Sequence, residues 1–244
     1  MKSYARLQFE KVYKYESRIV GDFDRCFAIT EKDRERIERM NSRARVSVVP
    51  AGVDISYFCP MDVPMEPYSI VSVASMDWPP NVEGILWFTA KIWPLVKQEI
   101  PQAAVYVVGK NPPPEIKKLA SEEGIVVTGF VDDVREYMAR ATVLVVPLRT
   151  GGGMRIKILN ALAMGKAVVS TSVGCEGIDV ENNKNIYIAD TEEEFAQRII
   201  ELLKDKGKRE ELGGEGLKLV REKYRWERIA EQIEAGYENI LKAR

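Results

Sequence analysis

Thr150-Gly-Gly-Gly-Met-Arg-Ile-Lys-Ile-Leu-Asn-Ala-Leu-Ala-Met-Gly-Lys-Ala-Val-Val-Ser170 is the stretch that decides the fold. An apolar run at 142–147 predicts a strand ahead of it. The triple glycine then makes a turn, residues 154–164 read as a helix, and 167–170 as a second short strand. Strand, turn, helix, strand is the repeating unit of a parallel α/β sheet. Glycines ahead of a helix let backbone N–H groups approach an anion, and the helix N-terminus adds about half a positive charge. Arg149, Arg155 and Lys157 add full charges. Gly151, Gly152 and Gly153 with Arg155 therefore read as a diphosphate cradle, although a glycine turn between strand and helix also serves purely backbone needs.

Outward from this stretch the same unit repeats. Strands are expected at 70–74, 104–108, 125–128 and 185–188, and helices at 81–99, 113–122 and 132–140. The strands are rich in Val and Ile without polar alternation, which suits a parallel sheet buried on both faces. The pattern is that of a doubly wound, Rossmann-like α/β fold. A helical C-terminal tail follows at 192–206, 208–223 and 226–242. Ahead of the repeating region, 3–19 reads as an amphipathic helix with Leu7, Val12, Tyr15 and Ile19 near one face. Strands are expected at 25–30 and 46–49, with Thr30 capping a helix over 31–40 and a linker over 53–67.

Composition narrows the function. With 244 residues, 45% of them hydrophobic, the chain has enough material for one large domain or slightly more. The net charge of −1 gives no reason to expect a nucleic-acid partner. There is no histidine, which excludes histidine-based catalysis or metal binding within the chain. Cys26, Cys59 and Cys175 lack metal-ligand spacing, and their odd number, with no signal peptide, points to a reducing, cytoplasmic compartment. No run approaches the ~20 apolar residues of a membrane span, so membrane contact is not indicated.

Several spaced segments carry a family resemblance: Val49-Pro-Ala-Gly-Val-Asp54, Ser75-Met-Asp-Trp-Pro-Pro-Asn81, Val108-Gly-Lys-Asn-Pro-Pro-Pro114, Val127-Thr-Gly-Phe-Val-Asp-Asp133 and the run 148–178. In this order they resemble the C-terminal, donor-binding lobe of GT-B glycosyltransferases, most closely the retaining group 1 nucleotide-sugar transferases. The resemblance implies a remnant of the first lobe at 1–52, the nucleotide-sugar lobe at 53–225, and a last helix at 226–244 returning toward the first lobe. It implies a nucleotide-diphospho sugar, uridine-linked, as ligand, with no metal and no further cofactor. By this resemblance, most of the first lobe, which holds the acceptor, is expected to lie outside this sequence. A partner lobe or a homo-oligomer is therefore expected, and sugar transfer by this chain alone is not. A nucleotide-binding or assembly module without catalysis is the alternative, and a non-hydrolysing sugar epimerase of the same fold fits the motif order less well.

The resemblance also assigns positions. Gly129 and Phe130 match the junction that contacts the base, while Gly129 as a plain turn and Phe130 as core is the competing reading. Arg155, placed in the first turn of its helix, is expected on the phosphates. Lys157, two residues on, would not share its helical face. Many relatives carry an arginine and a lysine after the first strand of this lobe, where this chain has Met76-Asp77-Trp78. The family's two glutamates, eight apart, fall here on Gly152 and Asn160. The second holds the ribose hydroxyls, and an amide there makes the weaker, uncharged hydrogen bond. Glu176 sits on the loop after the next strand and either faces the sugar or caps a short helix. Asp77 is a further cleft candidate. Asp132 is read as a base contact or a helix cap, and Trp78 as a cleft wall or, more commonly for Trp, core.

Overall fold

A computed structural model describes residues 2–242, with side chains from Tyr4 onward. The chain divides into two compact units, one of residues 1–51 and 226–244, the other of residues 52–225.

The smaller unit contains helix α1 (Lys2–Ile19), strand β1 (Cys26–Ala28), helix α2 (Glu31–Met40), strand β2 (Val46–Val48) and helix α10 (Trp226–Lys242). β1 and β2 pair in parallel. Thr30 caps α2 as expected, its side chain accepting from the Asp33 N–H. α10 packs on β1 through Tyr237, whose ring stands edge-on to Phe27 at 5.8 Å.

The larger unit carries a six-stranded parallel sheet: β3 (Ser69–Val73), β4 (Ala104–Val108), β5 (Ile125–Gly129), β6 (Val143–Val146), β7 (Val168–Ser170) and β8 (Tyr187–Ile188). The spatial order is β5-β4-β3-β6-β7-β8. Counted from β3 this is the 3-2-1-4-5-6 order of the doubly wound fold. Along a strand successive side chains alternate faces, and here both faces are core. Ile70, Val143 and Val145 join one cluster with Phe88 and Phe195. Val71, Leu144 and Val146 join the other with Met138, Leu159 and Val220. Two buried faces explain the unbroken Val/Ile runs.

The first cluster is covered by α3 (Pro79–Trp87), α4 (Trp93–Glu99), α5 (Pro114–Lys118) and α8 (Glu192–Lys204); the second by α6 (Val134–Arg140), α7 (Ile156–Ala163) and α9 (Lys206–Lys223). The helix expected over 81–99 is continuous but not uniform, because residues 88–92 wind as a π-helical segment between α3 and α4. Pro94 has no N–H to give to the preceding turn, so the ladder must change register there. The cap of α6 is Asp133, accepting from the Arg135 N–H at 2.8 Å, and not Asp132.

Candidate functional site

In an open parallel sheet, loops leaving adjacent strands in opposite directions open a crevice at their carboxyl ends. Here that switch point lies between β3, whose chain continues toward β4, and its other neighbour β6. The loops meeting there are 74–78 after β3 and 147–155 after β6. The loops after β4 and β5 lie beside them. Gly109 N–H donates to the Gly129 carbonyl at 3.1 Å and Met76 N–H to that of Lys110 at 3.1 Å.

The glycine loop has a specific backbone. Gly151 has φ +113°, and a Cβ there would stand 2.8 Å from both the Trp78 ring and the Arg155 guanidinium. Gly152 has ordinary φ and open space where a side chain would go. Only Gly151 of these two is therefore demanded by the fold. The N–H groups of Gly151, Gly152 and Gly153 donate no hydrogen bond to another described residue. Thr150 Oγ donates to Glu83 on α3 at 2.9 Å, fixing the start of the loop.

Arg155 is not in the first turn of α7 but is its N-cap, with φ −97° and ψ 91°. Its side chain folds back beneath the loop. Nη1 donates to the carbonyls of Gly152 and Gly153, each at 2.6 Å, and the guanidinium lies over the Trp78 ring at 4.9 Å. Arg155 is only 7% exposed, yet Nε and Nη2 have no hydrogen-bond partner. Trp78 is 38% exposed and forms a wall, not core.

Because Arg155 stands outside the helix, the objection to Lys157 disappears. Lys157 lies on α7 three residues before Asn160, so the two share a face. With Ile156 they are the residues of α7 that are not buried. Lys157 Nζ donates to Asn81 Oδ1 at 3.2 Å across the switch point, and Asn81 Nδ2 donates to the Ser75 carbonyl at 2.6 Å. Lys157 is thus tied through Asn81 to the loop after β3, which carries no cation at residues 76–78. Burial, and then the charge of Arg155, push the Lys157 ammonium down to about 8. Burial also lowers Arg155, while Glu176 across the loop raises it. Neither cation has a carboxylate within ion-pair distance among the described residues.

The other expected residues fall around this pair. Asn160 is half-buried, and its amide makes no hydrogen bond to another described residue. Glu176 is brought close enough to act on Arg155; its loop is held by the Gly174 N–H donating to Thr171 Oγ1 at 2.9 Å, while Thr171 Oγ1 donates to the Leu148 carbonyl. Phe130 is 71% exposed, so it is not core, and Gly129 carries a positive φ of +71°. Asp77 is held by Asn111, Ser75 and Lys110, in that order of effect, and its carboxyl is lowered accordingly. Arg149 lies over the Trp87 ring at 5.4 Å. Sequence reasoning chose Arg155 over Lys157 and drew no link between Lys157 and Asn81. The i, i+3 spacing of Lys157 to Asn160 was the available signal.

The model of glycosyl transferases group 1 matches residues 67–205, more than half of the chain. The chain belongs to the group 1 glycosyltransferases. Its sequence is 25% identical over 173 residues to an uncharacterized 44.6 kDa protein in the cps region of Klebsiella pneumoniae, covering 68% of this chain and 45% of that protein. It is 29% identical over 155 residues to a GDP-mannose-dependent α-(1-6)-phosphatidylinositol monomannoside mannosyltransferase of Mycobacterium tuberculosis, covering 57% of this chain and 40% of that enzyme. The chain thus spans less than half the length of these relatives. Among solved structures, sucrose-phosphate synthase from Thermosynechococcus elongatus superimposes with a TM-score of 0.78 at 20% identity, over 96% of this chain and 63% of that one. Anabaena HepE, solved in complex with UDP and glucose, gives 0.73 at 16% identity, over 88% of this chain and 63% of that one. The fold of this group 1 chain is that of the GT-B glycosyltransferases.

Proposed function

We propose that this chain binds the diphosphate of a nucleotide-sugar donor at the β3/β6 switch point, as the donor lobe of a glycosyltransferase completed by a further lobe. The observation that carries the reading is the convergence of Arg155 and Lys157, two shielded cations beyond ion-pair distance of any carboxylate among the described residues, beside three loop N–H groups that donate to no other described residue. In transfer, the bond between the anomeric carbon and the phosphate oxygen breaks and negative charge grows on the departing diphosphate. Donors already aimed at that position stabilise it as it forms. The loop N–H groups and Lys157 fill this role without a metal, and Arg155 adds its charge from beneath the loop. Phe130 and Gly129 would border the base, Asn160 the ribose and Glu176 the sugar. Retention of anomeric configuration is the expectation carried by the family.

We assign the base as uridine. Support comes from neighbours solved with UDP, Anabaena HepE and the pneumococcal O-GlcNAc transferase GtfA; the mycobacterial relative is GDP-mannose-dependent. Calorimetric titration with uridine, guanosine and adenosine diphosphates tests this assignment. Tightest binding of the uridine form is expected, and tighter binding of either purine form would overturn it.

A second reading, a nucleotide-binding module without catalysis, is favoured by one observation, the neutral Asn160 where the family's ribose carboxylate would stand. The enzyme reading predicts release of sugar from the donor when a first lobe is supplied in trans. Binding without release under those conditions favours the module.

A further inference from the structure

At the opposite, amino end of the strands, a cavity of about 500 Å³ opens beside Tyr68, Thr142 and Ala167, the residues that immediately precede β3, β6 and β7. Its remaining walls include Lys166, Leu203 and Arg209. The volume lies within the usual range for small-molecule sites.

The charges around it do not balance. Lys166 is 7% exposed; its ammonium donates to the Ala139 carbonyl, in the last turn of α6, at 3.0 Å. Arg209 Nη1 donates to the carbonyls of Leu202 and Leu203 near the end of α8, at 2.6 and 3.4 Å, and its buried Nε has no partner. Neither pairs with a carboxylate among the described residues. The two rim lysines do: Lys204 with Glu99 at 3.4 Å, and Lys206 with Glu210 at 3.5 Å. A helix C-terminus carries at most about half a negative charge. Two full cations facing two helix ends therefore leave about one positive charge uncompensated. Burial, and then Arg209, push Lys166 down to about 8, as expected of like charges held together.

Packing enforces that proximity. A Cβ on Gly213 of α9 would stand 2.1 Å from the Gly165 carbonyl, so glycine is what lets α9 lie on this loop. Arg209, four residues earlier, is on the same helical face and is carried in beside Lys166.

We propose that this cavity binds a small organic anion, with its carboxylate or phosphate head between Lys166 and Arg209 and its apolar body against Tyr68 and Leu203. The proposal does not depend on the donor site, which lies at the other end of the strands.

The test is amide NMR of the full chain titrated with benzoate, phenyl phosphate and neutral benzyl alcohol. Saturable shifts are expected at Gly165, Ala167 and Leu203 with one or both anions and not with the alcohol, and the two anions identify the preferred head group. Arg209→Gln should weaken that binding about tenfold or more, as loss of a hydrogen bond to a charged group implies. It should leave the response of Gly151–Gly153 to uridine diphosphate unchanged, which also reports that the variant is folded. No saturable shift up to about 10 mM anion, or equal shifts with benzyl alcohol, would overturn the proposal. Both readings are made on the unmodified protein, so they hold even if the variant is unstable.

Discussion

Replacing Lys157 with methionine separates binding from folding, because the two should move in opposite directions. The ammonium is shielded from water, stands near Arg155, and titrates near 8 instead of its ordinary 10.5. At one pKa unit per 1.36 kcal/mol, keeping it charged in the folded protein at pH 7 costs roughly 3 kcal/mol. The sign follows from proton counting. The depressed pKa means that the unfolded chain holds the extra proton between about pH 8 and 10.5, so stability rises with pH through that window. Methionine keeps the side-chain length and removes the charge, but strands Asn81 Oδ1, at a cost of about 1–3 kcal/mol. Lys157→Met should therefore be neutral to about 2 kcal/mol more stable at neutral pH, the residue of these two effects. Its stability should also lack roughly 3 kcal/mol of the rise between pH 8 and 10.5. Binding should change the other way. Loss of a hydrogen bond to a charged group weakens uridine diphosphate by about 1.5–3 kcal/mol, roughly ten- to hundredfold in Kd, and leaves uridine unaffected. Denaturant melts across pH and calorimetry on both proteins measure these quantities. Unchanged diphosphate binding together with an unchanged pH–stability profile would refute the assignment of Lys157 as a shielded phosphate cation.

Arg155→Ala should weaken uridine diphosphate by a similar 1.5–3 kcal/mol, with equal loss for uridine showing that the effect runs through loop folding instead. Asn160→Glu should tighten uridine diphosphate by on the order of 1 kcal/mol, the difference between charged and neutral hydrogen bonds; calorimetry should find the gain absent with the 2′,3′-dideoxy analogue. The smaller unit exposes Phe9, Tyr13, Tyr237 and Leu241, and apolar patches of this kind serve as interfaces. Concentration-dependent self-association is expected by light scattering, and a clean monomer at high concentration would contradict it.

The sheet was legible in the sequence because burial on both faces leaves a signal that one strand carries by itself. The run Val143–Val146 needs no knowledge of its neighbours to be read as interior. The cap at Thr30 is equally local, accepting from an N–H three residues on. The site was legible only in part. Position along the chain identified the glycine loop, but the direction of Arg155 depends on where α7 begins. A start one residue after Arg155, not one before it, turns the guanidinium under the loop and leaves the outward face to Lys157 and Asn160. Trp78 and Phe130 were ambiguous because aromatic residues serve equally as core and as cleft wall. The surroundings of Trp78 are set by Arg155 and Gly151, far along the chain. The link between Lys157 and Asn81 spans 76 residues, and no periodicity encodes it.

The most direct test of the central claim is an amide-shift map of the chain saturated with uridine diphosphate. Binding at the β3/β6 switch point predicts the largest changes at Gly151–Gly153, Lys157 and Asn160, with smaller ones at Gly129 and Phe130. Shifts confined to Gly165–Ala167, or no saturable shift at all, would contradict it.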